Sequence, residues 1–370
     1  MGENISHYIA NAFPVPSKDT WSETAMRELD GGEPFTKLAW QDKDKNIFSP
    51  FYSNIDTALL PYRERFYLNP SKNSFAGNRE WINKSLVSVA NEVTANKQAL
   101  DHLRNGADGI LFDISVKREI DIEQLMQEIE WKYCSISFQG FDSKFIDSLK
   151  AFLAGNSHAP GNGNLFWENI PQSGITGSLL EFDTLKSLGC IVQSSTPVRE
   201  ISDALIRGVK ILEQYHGEEV KNIFPRISFS VPVSSDLLLS ISKLKALRML
   251  WYQIARAFGL SDFSPDDVHV HARSEKYVNE KFEPHGNILH STIASMAAIF
   301  GGCDSLTVYP QEGENASLNR ITRNVSSILR EESHLNKVSD PVAGAYAIEV
   351  MADTLAREAW RNFQLTMEKR

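Results

Sequence analysis

The feature that most constrains this chain is a rhythm. From Trp81 onward, strand-like runs alternate with helical patterns eight times over about 250 residues. The runs are Ser85–Val89, Gly109–Ile114, Tyr133–Phe138, Asn164–Asn169, Cys190–Ser195, Ile227–Val233, Val268–His271 and Ser305–Tyr309. Between and after them lie Val93–Arg104, Ile122–Ile129, Lys144–Ala154, Ser178–Leu188, Arg199–Gln214, Leu237–Phe258, Asn287–Phe300 and Leu318–Ser333, with apolar residues at helical spacing. Count and length together predict an α/β fold, a (β/α)8 TIM barrel. The alternative, a doubly wound open sheet, normally carries a Gly-rich phosphate turn after its first strand, and none stands here.

Other segments frame the barrel. Residues 1–78 read as an N-terminal extended arm and barrel-covering segment, 79–342 as the barrel, and 343–370 as a C-terminal helix. Within the arm, Ser17 caps a helix that Gly31-Gly32 ends. Phe35–Trp40 and Ile47–Tyr52 then read as two extended runs around the charged turn Asp42–Asn46, and Ser53–Asn78 is irregular and rich in aromatics.

Composition narrows the function. The 370 residues carry a formal net charge of −9 with 42% hydrophobic residues. No Lys/Arg block exists to track phosphates, so neither nucleic acid nor an anionic membrane is an expected partner. No apolar run reaches the roughly 18 residues of a membrane helix. Cys134, Cys190 and Cys303 form no CxxC spacing; they read as buried apolar residues of a cytoplasmic protein. The start MGENIS fits a myristoylation pattern by chance, lacking a basic segment beside it.

In a barrel, chemistry gathers where the strands end. The residues there that could touch a ligand are Ser195 and Thr196 after the fifth strand, and His271, Arg273 and Ser274 after the seventh. Asn287 and His290 open the next helix. Asp113, Tyr309 and Gln311 follow other strands. Asp267-Val-His269-Val-His271 imitates a metal triad, but no carboxylate-rich partner strand accompanies it, and no metal is expected. Ser234-Ser235-Asp236 reads as a helix cap. Lys243, Lys245 and Arg248 cluster on the helical wheel of Leu237–Phe258 and read as a solvated stripe.

Several blocks resemble the methylmalonyl-CoA mutase family. Asn287–Gly302 is similar to its helix seven with a Gly-Gly end. Arg323-Asn324, Glu331-Glu332-Ser333 and Val338-Ser-Asp340-Pro341-Val-Ala-Gly344-Ala-Tyr346-Ala-Ile-Glu349 resemble the pattern RN…EES…VxDPxGGSYxxE. Ser242–Trp251 resembles AKLRAxRxLW, and Phe13-Pro, Trp21, Phe35–Trp40 and Ser49–Tyr52 match the arm. The resemblance implies a barrel that, in catalytic members, threads a CoA thioester along its axis while a separate domain presents adenosylcobalamin for radical rearrangement.

The departures fall where that chemistry would sit. Ser195-Thr196-Pro197 stands where catalytic members carry Gly-Tyr-His, and a proline side chain neither donates nor accepts. The segment before the first strand lacks the family's catalytic pattern, His271-Ala-Arg273-Ser274-Glu275 replaces His-x-Gln-Thr-Ser, His290 replaces an arginine, and no cobalamin-binding domain is expected. The resemblance is therefore closest to the small, non-catalytic subunit. It implies no catalytic residue and no cofactor bound by this chain alone, with adenosylcobalamin supplied through a partner, the catalytic large subunit, in a heterodimer. Two alternatives stand: an active acyl-CoA mutase barrel served by a separate cobalamin protein, or an acyl-CoA-binding regulatory barrel with Arg273, His271 and His290 as a positive mouth.

Overall fold

A computed structural model describes residues 16–60, 79–117, 119–155, 161–169, 177–215, 218–275, 286–310 and 316–369. The arm begins with helix α1 (Lys18–Glu28), whose Ser17 cap accepts a bond from the Thr20 amide at 3.1 Å. The run Phe35–Trp40 is not extended at its start. Pro34 sits at the first position of a helical turn, α2 (Pro34–Lys37), capped by Glu33, because its fixed φ suits that position. Only β1 (Trp40–Gln41) and β2 (Ile47–Phe48) pair, antiparallel, with Trp40 opposite Phe48. A second helical turn, α3 (Asn54–Thr57), follows, and residues 61–78 lie outside the described part.

The eight parallel strands form a closed barrel. They are β3 (Ile82–Ser88), β4 (Gly109–Asp113), β5 (Ser135–Gln139), β6 (Gly163–Trp167), β7 (Leu185–Ile191), β8 (Ile227–Val233), β9 (His269–Ser274) and β10 (Ser305–Thr307). Each pairs with the next, and β10 closes on β3 through Ser305–Ile82 and Leu306–Asn83. Around them lie α4 (Glu92–Arg104), α5 (Ile122–Leu125), α6 (Ser143–Gly155), α7 (Pro197–Leu212), α8 (Glu218–Ile223), α9 (Leu237–Ala257), α10 (Gly286–Phe300) and α11 (Ala316–Glu331). Asn91, Asp121 and Asp236 cap α4, α5 and α9, each accepting a backbone N–H of the first turn.

Two expectations fail here for physical reasons. The helix expected over Ser178–Leu188 is only a short 3-10 turn at Gly177–Glu181, and Leu185 already belongs to β7. The sheet needs a strand between β6 and β8, and that demand overrides local spacing. Correspondingly β7 stops at Ile191, leaving Ser194 and Ser195 in the loop beyond. Similarly, α5 stops at Leu125 rather than Ile129.

The last helix, α12 (Tyr346–Glu368), forms a second layer. It packs across α7 and α9, outside the barrel. This overturns the solvated-stripe reading of α9. Lys243, Lys245 and Arg248 are buried, and each meets a carboxylate from a different element. Lys243 Nζ lies 2.5 Å from Glu200 Oε2 of α7, and Lys245 Nζ lies 2.5 Å from Glu349 Oε1 of α12. Arg248 lies 2.7 Å from Asp304 Oδ2, at the start of β10. A helical wheel registers one flanking layer, not two. Close packing explains Gly208 of α7 as well: a Cβ there would stand 2.4 Å from the Trp251 ring.

Candidate functional site

The barrel axis is filled by its own side chains. Lys84 of β3 donates to Ser137 Oγ of β5 at 2.9 Å and to Asn164 Oδ1 of β6 at 2.6 Å. Asn164 passes the chain on, donating to Ser228 Oγ of β8 at 3.1 Å. On the far side His271 Nδ1 lies 2.9 Å from Ser305 Oγ of β10. Between them stands Phe166, stacked on His271 with ring centroids 4.9 Å apart and with the Lys84 ammonium 5.9 Å from its ring. Phe166 and His271 are 0% exposed and Lys84 1%. Phe166 also joins Leu111, Ile191 and the partly buried Leu86 in an apolar plug. Gly189 makes room for the ring: a Cβ there would stand 2.7 Å from Phe166.

Burial sets the charge state of this belt. It lowers the Lys84 ammonium to about 7, with Asp304 acting in the opposite direction. Burial also pushes His269 down to about 3 and His271 well below its ordinary value, Lys84 being the next cause for His271. Both histidines of the apparent triad therefore stay neutral inside the barrel. Asp267, the third member, accepts the Ser264 amide and hydroxyl in its own turn. Among the described residues, no group of three or more His, Cys, Asp or Glu side chains is placed to hold a metal ion.

The candidate contacts are scattered by the same geometry. His271 is sealed in the axis. Arg273 is half-buried and turned inward, donating to the Val192 carbonyl. Buried Ser274 accepts the Tyr309 amide at 2.9 Å. Ser195 is exposed at its side chain, and its amide donates to Glu200 Oε1 at 2.8 Å. Thr196 is spoken for by the arm: its hydroxyl donates to Asp44 Oδ1 at 2.5 Å. Asn287 is half-buried at the start of α10, and exposed His290 meets Ser235 Oγ at 2.9 Å. At the rim, Ser194 donates to Glu275 at 2.6 Å, and Asp113 receives Gln139 and Ser115. Gln311 lies outside the described residues. The mouth groups expected to form one positive cluster thus have separate engagements.

Sequence reasoning missed Lys84, Phe166 and Asp44. A lysine inside a barrel strand was the available signal, but the expected strand began one residue after it. Asp44 gave none, being one acid in a charged turn.

Cobalamin, the cofactor that the resemblance implies, finds no built site among these groups. Ser194, Thr196 and Ser115 bond the rim carboxylates Glu275, Asp44 and Asp113, Arg273 is drawn to a backbone carbonyl, and His271 is enclosed.

A closed (β/α)8 barrel with an arm, a second helical layer and an occupied axis is the class of protein that the fold defines. The family model described as methylmalonyl-CoA mutase matches residues 188–369. The methylmalonyl-CoA mutase small subunit of Porphyromonas gingivalis is 27% identical over 95% of this chain and 63% of its own length. That of Streptomyces virginiae is 34% identical over 46% of this chain and 28% of its own length. The chain thus spans less than two thirds of these relatives. Among solved structures, dihydropteroate synthase of Burkholderia cenocepacia matches at 13% identity, over 69% of this chain and 93% of that chain. Its TM-score of 0.42 is too low to carry an argument. The chain is similar to the methylmalonyl-CoA mutase family over residues 188–369, and its relatives include several named small subunit.

Proposed function

We propose that this chain is a non-catalytic partner of a catalytic, adenosylcobalamin-dependent mutase subunit, in a complex that interconverts methylmalonyl-CoA and succinyl-CoA. The observation that carries this reading is the occupied axis. An acyl-CoA threaded through the barrel would collide with Phe166, Lys84 and His271, each buried and held by neighbours from other strands. Thr196 and Pro197 supply no acid or imidazole at the mouth, and the Thr196 hydroxyl is held by Asp44. Both points weigh against an active barrel and against a regulatory barrel with a CoA ester in its axis. The candidate mouth contacts Ser195, Thr196, His271, Arg273, Ser274, Asn287 and His290 then serve architecture.

The arm supports partnership in a particular way. Among its described residues aromatics pack on one another: Trp21 on Phe35 and Phe51, and Trp40 on the buried Phe48. Three aliphatic residues of the arm face outward, with Ile47 71%, Ile55 70% and Leu59 87% exposed. Apolar groups of this kind, left in water by the chain's own packing, suit a macromolecular contact. We place the complex in the cytoplasm, where the free Cys134, Cys190 and Cys303 would remain reduced. No described helix is long and apolar enough to cross a membrane. We also read 1–78, 79–342 and 343–370 as arm, barrel and terminal helix.

Co-expression with a large mutase subunit tests the proposal. The expected result is a stable one-to-one complex that turns over methylmalonyl-CoA with adenosylcobalamin, while this chain alone gives no turnover and no melting shift with methylmalonyl-CoA. Failure to co-purify, or turnover by this chain with a cobalamin protein lacking a large subunit, would overturn it.

A further inference from the structure

The first turn of α7 carries an unusual cap. Thr196 stands at the N-cap position, yet its own side chain makes no capping bond. Such a turn leaves N–H groups without helical partners. One of them is satisfied from the arm, 152 residues away in sequence at the Thr196 hydroxyl bond: Asp44 Oδ2 accepts the Val198 amide at 3.1 Å while Oδ1 accepts the Thr196 hydroxyl at 2.5 Å. One carboxylate therefore does for α7 what a local side chain does for the other capped helices.

The turn that presents Asp44 is built independently of the barrel. Asp42 accepts the Asn46 amide at 2.8 Å and its side-chain amide at 2.9 Å, the Lys45 amide bonds the Asp42 carbonyl at 3.1 Å, and Gln41 donates to the Lys45 carbonyl at 3.1 Å. Lys45 adopts a left-handed φ of 68°, which closes the turn. At the base Phe48 is buried in the main core and Trp40 packs against it. Thus the hairpin has a fixed root and an internally braced tip, with Asp44 bonded across to α7.

We propose that this hairpin is a releasable clasp on the barrel mouth, with Asp44 coupling the docking of the arm tip to the order of the first turn of α7. The tip can lift about Phe48 with its own turn intact. Lifting it costs α7 its cap and frees the Thr196 hydroxyl, while Ser194 and Ser195 stay held by Glu275 and Glu200. By linkage, whatever orders one end orders the other. The inference does not depend on the assignment of a mutase partner.

Hydrogen exchange on the full chain tests it, with peptides covering the arm tip and the start of α7. In Asp44→Ala, exchange at both segments should rise by about tenfold, the scale of a lost cap, while β4 and β5 stay protected. A second variant, Asp44→Ala combined with Thr196→Asp, gives α7 a local cap. It should restore protection at α7 but leave the arm tip fast. Unchanged exchange at either segment in Asp44→Ala would overturn the clasp. So would an arm tip that regains protection in the double variant, because its docking would then not depend on Asp44.

Discussion

The barrel axis and the outer helical layer both bury cations, and they do so by opposite means. In the outer layer every buried cation of α9 meets an anion: Lys243 with Glu200, Lys245 with Glu349 and Arg248 with Asp304. Supporting carbonyls complete the sites, with Pro232 accepting from Lys243 at 2.6 Å and Val268 from Arg248 at 2.5 Å. In the axis Lys84 is held by a hydroxyl and a side-chain amide, and two neutral histidines stand nearby. The first arrangement keeps charge and uses it to tie layers together. The second lets burial push the charge off. A buried ion pair is a connector whose loss leaves its partner stranded, whereas a buried lysine among neutral acceptors can shed its proton instead.

The largest effect should come from stranding one connector. Glu349→Gln leaves Lys245 buried beside a neutral amide and also weakens the loop before α12, since Glu349 Oε1 accepts the Gly344 amide at 3.0 Å. The expected loss is about 3–5 kcal/mol in urea unfolding. Lys245→Met combined with Glu349→Leu should recover much of it, because neither charge then remains. A double variant no more stable than the single one would mean that the Gly344 bond, rather than charge, dominates this layer.

The axis should respond to volume before charge. Gly189→Ala places a methyl group 2.7 Å from both the Phe166 ring and the Leu165 carbonyl oxygen. Overpacking of this kind costs about 1–3 kcal/mol. Thermal unfolding that leaves Tm unchanged would show an axis looser than the Phe166–His271 stack implies.

A pH series separates the two regimes further. Lys84 titrates near 7 in the folded chain, against an ordinary value of 10.5. Between those values the unfolded chain holds a proton that the folded chain has released, so stability rises with pH. The slope approaches roughly 1.4 kcal/mol per pH unit at most. Below about pH 7 both states hold the proton and this contribution flattens. The lowered histidines add the same sign below about pH 6.5. Urea unfolding of wild type and Lys84→Met from pH 6 to 9 measures the difference: the wild type should gain on the variant as pH rises above 7. Parallel curves would mean that Lys84 keeps its charge in the axis.

The contrast also explains what the sequence could disclose. Alternating periods reveal a barrel because each strand and helix must bury a face, and that demand is local. The blocks around Asp340 and Glu349 are legible for a related reason: Asp340 accepts the Val342 amide at 3.2 Å, and Glu349 ends a short-range network reaching Gly344 and Lys245. They carry the family resemblance through architecture, not reaction chemistry. The plugged axis was hidden because Lys84, Phe166 and His271 lie on β3, β6 and β9 and meet only after closure. Burial of the α9 stripe was hidden because α12, which supplies Glu349, returns about a hundred residues later. Asp44 was hidden for the same reason, its partner being most of a domain away.

The smallest effect on stability should come from the arm. Ile47, Ile55 and Leu59 are exposed, so replacing all three with Ser should change unfolding by about 0.5 kcal/mol or less per site. The same triple variant should bind a large mutase subunit at least tenfold more weakly, as loss of about 1.4 kcal/mol of apolar contact would require. Two readouts moving apart in this way distinguish a surface shaped for another chain from one that merely tolerates water. Undiminished affinity would move the contact from the arm to the outer faces of the barrel helices. Undiminished affinity together with a large stability loss would mean that these aliphatic residues pack against their own barrel, and that the inside-out division of the arm, aromatics inward and aliphatics outward, is mistaken.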